Sequence, residues 1–446
     1  MCAIVQRCCA LDSQAFRVCE GKGFELMIDT VLEIAKKHKG APFPARELLP
    51  SATTVSTSVT NQAKALRKIS VLKLKKILRT RGVCISVDGW TEDYTKTKFV
   101  QFIIHYIQDC ILKEELITIS EFDATKSQTA GAVRDFVFKT LADICISEEE
   151  CADVTYITDA AATMITAFRV PNRTILERVS CACHMLNTCL QNSVNRKPNS
   201  QFKLSDERVP ISTLIQSCKS LVTYCKQAYL SRRLSVAPVQ AVETRWNSNL
   251  DMLVSIMRLY PELKDILQGR DERNRLPGPV DFLRAVVELL RPFKTATLAL
   301  ESSSMPTIHL VVPFFIKIRT HVSQPISEEF RYLLQYSALV AYQKQLKKVC
   351  DAKLVVDELH KAAVFLNPAM KGLLMYPTAE QSAIINGVQK MCGTTSFSFS
   401  SEHRSLPFSS VKKIAIAFRS FPFSFSFFWK MWIWFPVYRT VLCSAV

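Results

Sequence analysis

The sequence predicts an α/β protein: a mixed sheet of order βββαβαβ with helices packed on it, a small helical region before it and a large all-α region after it. Three observations carry this. The period changes from helical to strand-like at about residue 82, where "GVCISVDGW", "KFVQFIIHYIQD" and "ILKEELITISEFDA" form three β-rich runs with short polar links, the pattern of an antiparallel meander. Helical and apolar segments then alternate, which adds strands by crossover connections. From about 205 to 375 the apolar spacing is almost wholly helical.

Taken in order, "FELMIDTVLEIAKKH" (24–38) sets Phe24, Met27, Ile28, Val31, Leu32 and Ile34 on one helical face and ends on Lys36, Lys37 and His38, as a helix C-terminus favours. In "NQAKALRKISVLKLKKILRTRG", Leu66, Ile69, Leu74 and Leu78 form an apolar stripe, and Lys64, Arg67, Lys68, Lys73, Lys75, Lys76, Arg79 and Arg81 cover the rest. No acid occurs from Leu48 through Val87. A helix of this kind can lie along a phosphate backbone; a solvated basic face is the plainer alternative. After the meander the spacing predicts a helix over 127–145 capped by Ser127, a strand over 153–161, a helix from near Ala160, a strand over 177–185 and a further helix. Pro292 and Pro313 are expected to kink or break two of the later helices.

The expected domains are 1–81, helical and basic; 82–204, the sheet; 205–380, all-α; and 381–446, an irregular Ser- and aromatic-rich tail. A chain of 446 residues accommodates two to three such units at roughly 100–200 residues each. Lys and Arg exceed Asp and Glu by 57 to 40, for a net charge of +17, which favours a polyanionic partner such as nucleic acid. The 16 cysteines follow no disulfide framework, and "MCAIVQRCCALDSQ" has no signal-peptide pattern, so a reducing compartment is expected. No C-x2-C pair is followed by the histidines of a zinc finger. A membrane span over 421–442 is disfavoured, because a central Lys430 costs roughly 2.5–3.5 kcal/mol.

The candidate chemistry starts at Asp88, an acid that ends an apolar run, and Asp159, which ends another in "TYITDAA". In this strand order the two can meet at one sheet edge, where paired carboxylates can hold divalent metals for phosphoryl transfer. Each is also an ordinary turn or cap residue.

"SVDGWTEDYTKTKFV", "YITDAAATM", "CACHMLN" and "VETRWNSNLDML" occur in that order and resemble the core of the hAT-superfamily (hobo/Activator/Hermes-like) transposases, with flanking likeness from about Gln14 to Met375. The resemblance implies an RNase H-like domain interrupted by a helical insertion, a DNA partner, a nuclear location and a Mg²⁺ or Mn²⁺ cofactor. Asp88 and Asp159 match the first two acids of the family's DDE triad and its metal ligands. Cys181 and His184 match a C-x-x-H motif beside the active site, and Arg245 and Trp246 match an RW pair whose Trp stacks on a flipped base. A buried thiol with a core imidazole, and a helix-cap aromatic, are the structural alternatives. The family's BED finger, third acid and dimerisation segment have no counterpart that we assign; Glu288 and Glu301 fall within the insertion-like region. The expectation is a DNA-binding relative without strand cleavage. The alternatives are a domesticated regulatory protein and an active enzyme whose third acid goes unrecognised.

Overall fold

The computed structural model describes residues 18, 20–37, 50–78, 83–92, 94–109, 111–123, 129–151, 154–168, 178–194, 206–242, 246–302 and 305–391. The chain divides into two compact units, Met1–Ser70 and Val71–Val446. In the first, helix α1 (Lys22–Lys37) has the expected amphipathic spacing, yet none of its residues is buried. Helix α2 (Ala52–Leu78) crosses the division. Its exposed part carries Leu66 and Ile69, whereas Leu74 and Leu78 are buried in the sheet core of the second unit, so the predicted apolar stripe is only half used. For that reason the division falls within α2 and not at residue 81.

The second unit is built on a five-stranded sheet: β1 (Cys84–Thr91), β2 (Lys98–Gln108), β3 (Ile111–Phe122), β4 (Thr155–Thr158) and β5 (Arg178–Ser180), in the order β3-β2-β1-β4-β5. The first three strands pair antiparallel, as the meander pattern predicts, and β4 and β5 add in parallel. Alternation places Ile85 and Val87 beside Ile104 and Phe102 on one face, all buried. Helix α3 (Ala130–Asp143) covers that face with Val137 and Leu141. Its cap is Thr129, whose Oγ1 accepts from the Ala132 N–H at 3.2 Å; the expected cap, Ser127, lies outside the described residues. A short helix, α4 (Ala162–Ala167), follows β4.

The predicted strand over 177–185 is corrected. It stops at Ser180, and helix α5 (Ala182–Val194) begins two residues on. Val179, Cys181 and Cys183 alternate like a strand, but Met185, Leu186, Cys189 and Leu190 recur at helical spacing, and burying that stripe against the helical core decides the outcome. The remaining helices are α6 (Val209–Gln227), α7 (Trp246–Gln268), α8 (Val280–Leu300), α9 (Val311–Ser323), α10 (Tyr336–Lys353), α11 (Glu358–Leu366) and α12 (Thr378–Met391). Helices α5 to α10 share one apolar core.

Neither proline breaks its helix. Pro292 lies inside α8, where Leu289, Leu290, Phe293 and Ala296 are buried around it and offset the lost backbone bond. Pro313 is the third residue of α9, in the first turn, where an N–H has no intrahelical acceptor to lose. Helix α12 carries the helical region past the expected end at 380, with Ile384 and Val388 buried beside Val312 and Val364. Residues 392–446, expected to be irregular, lie outside the described residues.

Burial in the turn before α9 pushes the His309 imidazole from an ordinary 6.5 down to about 4. The unfolded chain therefore binds the extra proton between those values and the folded chain does not, so stability is lost as pH falls through this window. At roughly 1.4 kcal/mol per pH unit the loss is about 3 kcal/mol. His309→Leu is expected to flatten the stability-versus-pH curve between pH 6.5 and 4 in chemical denaturation; an unchanged slope would show that His309 protonates without penalty.

Candidate functional site

The register of the parallel strands builds the site. Cys84, Ser86 and the residue between them pair with Thr155 through Ile157, and Tyr156, Ile157 and Thr158 pair with Arg178, Val179 and Ser180. Continued past the strand ends, this register sets Asp88 beside Asp159 and Asp159 beside Cys181, in neighbouring strands roughly 4.8 Å apart. The Cys181 N–H donates to the Thr158 carbonyl at 2.8 Å, so the β4–β5 ladder does run on to this row. On the other side Asp88 pairs with Gln101 of β2. Burial of β1 ends at Val87, and Asp88 is exposed.

Asp159 and Cys181 are held locally. The Asp159 Oδ1 accepts from the Ala161 N–H at 3.0 Å, an Asx turn that leads into α4, so this acid also serves as the turn residue the sequence allows. Arg178, which no motif singles out, lies under the end of β4. Its Nε donates to Thr158 Oγ1 at 2.7 Å, its Nη1 to Ser180 Oγ at 3.2 Å, and its Nη2 to the Asp159 carbonyl. Only the strand register reveals it.

Cys181 immediately precedes α5. The Cys183 thiol and the backbone N–H groups of His184 and Cys183 act on its sulfur and pull its pKa down to about 7, against burial and the nearby Asp88 carboxylate. That same hydrogen bond, with burial, holds Cys183 well above the ordinary thiol range, and the Glu301 carboxylate adds to the effect. Glu301, just past α8, is thus within electrostatic reach of this thiol pair. His184 is half-buried in the first turn of α5.

The aromatic half of the RW pair is placed otherwise than expected. Trp246 opens α7 at 6% exposure, inside the helical core, and its backbone N–H donates to Asn187 Oδ1 of α5 at 3.0 Å. A base can stack only on an exposed ring, so in this conformation Trp246 is a core residue. Its spacing to Leu250 and Leu253, both buried, is the sequence signal for this. Arg245 lies outside the described residues.

The basic helix is divided in its employment. Lys73 contacts Glu115 of β3, which also accepts from the Tyr106 hydroxyl, and Lys75 pairs with Glu150 at 3.2 Å. Lys73 ties the end of α2 to the sheet, and Lys75 ties it to the short turn Glu149–Cys151. Lys64, Arg67, Lys68 and Lys76 are exposed, and Arg79 lies outside the described residues.

Among the described residues, no group of three or more His, Cys, Asp or Glu side chains is arranged to hold a metal ion. Two carboxylates on adjacent strands are hard oxygen donors, which suit Mg²⁺ or Mn²⁺ with water completing the coordination. The third position of the row is a thiol, a soft donor that suits neither.

The chain is similar to the Transposable element Hobo transposase of Drosophila melanogaster, 27% identical over 363 residues, a match covering 80% of this chain and 51% of that protein. The chain therefore spans about half the length of the relative it matches. No protein-family model matches the chain.

Lys73→Glu and Glu115→Lys are each expected to lower the melting temperature slightly, and the double exchange to recover most of the loss. If Lys73→Glu left thermal stability untouched while weakening nucleic-acid binding, the assignment of this lysine to the helix–sheet contact would be wrong.

Proposed function

We propose that the chain is a transposase-like DNA-binding protein whose Asp88–Asp159 pair is the two-carboxylate part of a phosphoryl-transfer site, and that it does not itself cut DNA. The observation that carries this is the continued β1–β4 register, which brings the two acids together from segments about seventy residues apart in the chain. Support for an RNase H-like reading of the sheet comes from its order, with an antiparallel meander extended by two parallel strands. Similarity to a transposase supports DNA as the partner and the nucleus as the place of action. Among the described residues no helix is long and apolar enough to cross a membrane.

In this reading Asp88 and Asp159 would hold Mg²⁺ or Mn²⁺, and such a cation would supply activation of a water or 3′-hydroxyl and stabilisation of the departing oxygen. Asp88 presents its carboxylate beyond the buried part of β1. Asp159 is oriented by its own Asx turn, and Arg178 fixes the backbone beneath it. Cys181 in the third place of the row contributes a thiol where a third hard ligand would complete the cage, and this supports weak cation binding without strand cleavage. DNA is held by charge: Lys64, Arg67, Lys68 and Lys76 remain for phosphate contact once Lys73 and Lys75 are assigned to their ion pairs with Glu115 and Glu150.

Two measurements test this. Binding to mixed-sequence duplex DNA is expected to weaken linearly in log–log with salt, and reversing Lys64, Arg67 and Lys68 together to reduce the slope by about 2.7, at roughly 0.9 per lost contact. With Mn²⁺ and a labelled hairpin-forming substrate, no product is expected from the chain or from an Asp88→Ala control. Cleavage by the chain that the control abolishes would establish an active enzyme instead.

A further inference from the structure

A groove on the helical region, lined by residues from outside the aspartate row, has the chemistry of a strand-binding site. It opens along the polar face of α6 as a cavity of about 700 Å³, continued by a smaller one of about 280 Å³ that shares Gln216, Lys219, Ser220, Tyr224 and Arg275 with it. From Ser212 to Gln227 the lining follows the helix for about 22 Å, at roughly 1.5 Å per residue. Its walls combine hydroxyls, amides and two cations with the apolar Val194, Ile215 and Leu221, and among the described residues no carboxylate lines it.

One wall is fixed in advance. The Arg275 guanidinium lies 3.9 Å from the centre of the Tyr224 ring. The Tyr224 hydroxyl donates to Glu272 at 2.5 Å and accepts from Arg270 at 3.2 Å. Glu272 is taken up by these partners and by Arg275, whose Nε is 3.8 Å from it. The single charge of Glu272 is offset by Arg270, whose Nε is 3.2 Å from it, so the groove keeps a positive balance from Lys219 and Arg275. A phosphodiester chain is matched by cations for its charge and by Ser and Thr hydroxyls for its oxygens.

We propose that this groove binds the sugar–phosphate backbone of a DNA strand, as a second contact beside that of the basic helix. The inference rests on the DNA-binding reading above and adds a location to it. Lys219 and Arg275 each contact a phosphate, and the hydroxyl face of α6 follows the backbone between them without reading bases.

The test uses the full chain and a fluorescein-labelled, mixed-sequence duplex, titrated at several salt concentrations. Lys219→Glu combined with Arg275→Gln is expected to reduce the salt slope by about 1.8, at roughly 0.9 per contact. Asn274→Glu, which adds an acid to the same wall and leaves the Tyr224–Arg275 stack in place, should lower affinity in the same direction. Inorganic phosphate and a mononucleotide at millimolar concentration should not displace the duplex. A wild type that binds with a steep slope while both groove variants keep it unchanged overturns this site alone. Displacement by phosphate or mononucleotide overturns it in favour of a small-anion pocket. A wild type with no DNA affinity removes the functional reading itself, and the groove with it.

Discussion

The parallel pairing of β1 with β4, and of β4 with β5, is the constraint from which the candidate site follows. The antiparallel meander presents a single acid, Asp88, at the point where burial of β1 stops. Only two further strands added in parallel bring a second and a third chain segment to the same level. Parallel strands need crossovers, and α3 and α4 lie within those connections while α3 buries the sheet face formed by Ile85, Val87, Phe102 and Ile104. The apolar face thus sets the register, and the register sets the row Gln101, Asp88, Asp159, Cys181.

What the row can do depends on its third position. Two carboxylates attract a hard cation, but Cys181, pulled toward ionisation by Cys183 and the first N–H groups of α5, brings charge without a hard ligand. The same helix start carries His184, and Glu301 acts on the neighbouring thiol. The sheet edge and the helical region consequently share one electrostatic environment, although their cores are separate clusters.

Much of the fold was legible because it rests on period. The three β runs, α3, and the helices from α6 onward follow from apolar spacing, and Asp88 and Asp159 could be paired because strand order alone makes β1 and β4 neighbours. The misreadings share a physical cause: the deciding partner is distant in sequence. The ion pairs of Lys73 and Lys75 left no trace in the sequence because Glu115 and Glu150 lie far along the chain. "SCACHM" read as strand because the core that α5 packs against is supplied mainly by helices beyond residue 205. Trp246 took its expected role from a two-residue motif, although its own spacing to Leu250 and Leu253 marks it as core. Arg178 and the α6 groove had no sequence signal, since both arise from tertiary placement.

The central claim is that Asp88 and Asp159 act as one cation site, and calorimetric titration of Mn²⁺ into the wild type, Asp88→Ala, Asp159→Ala and the double variant tests it most directly. The account predicts weak binding to the wild type, loss of that binding in either single variant, and no further loss in the double. Wild-type affinity retained in both single variants, or independent additive losses, would contradict it.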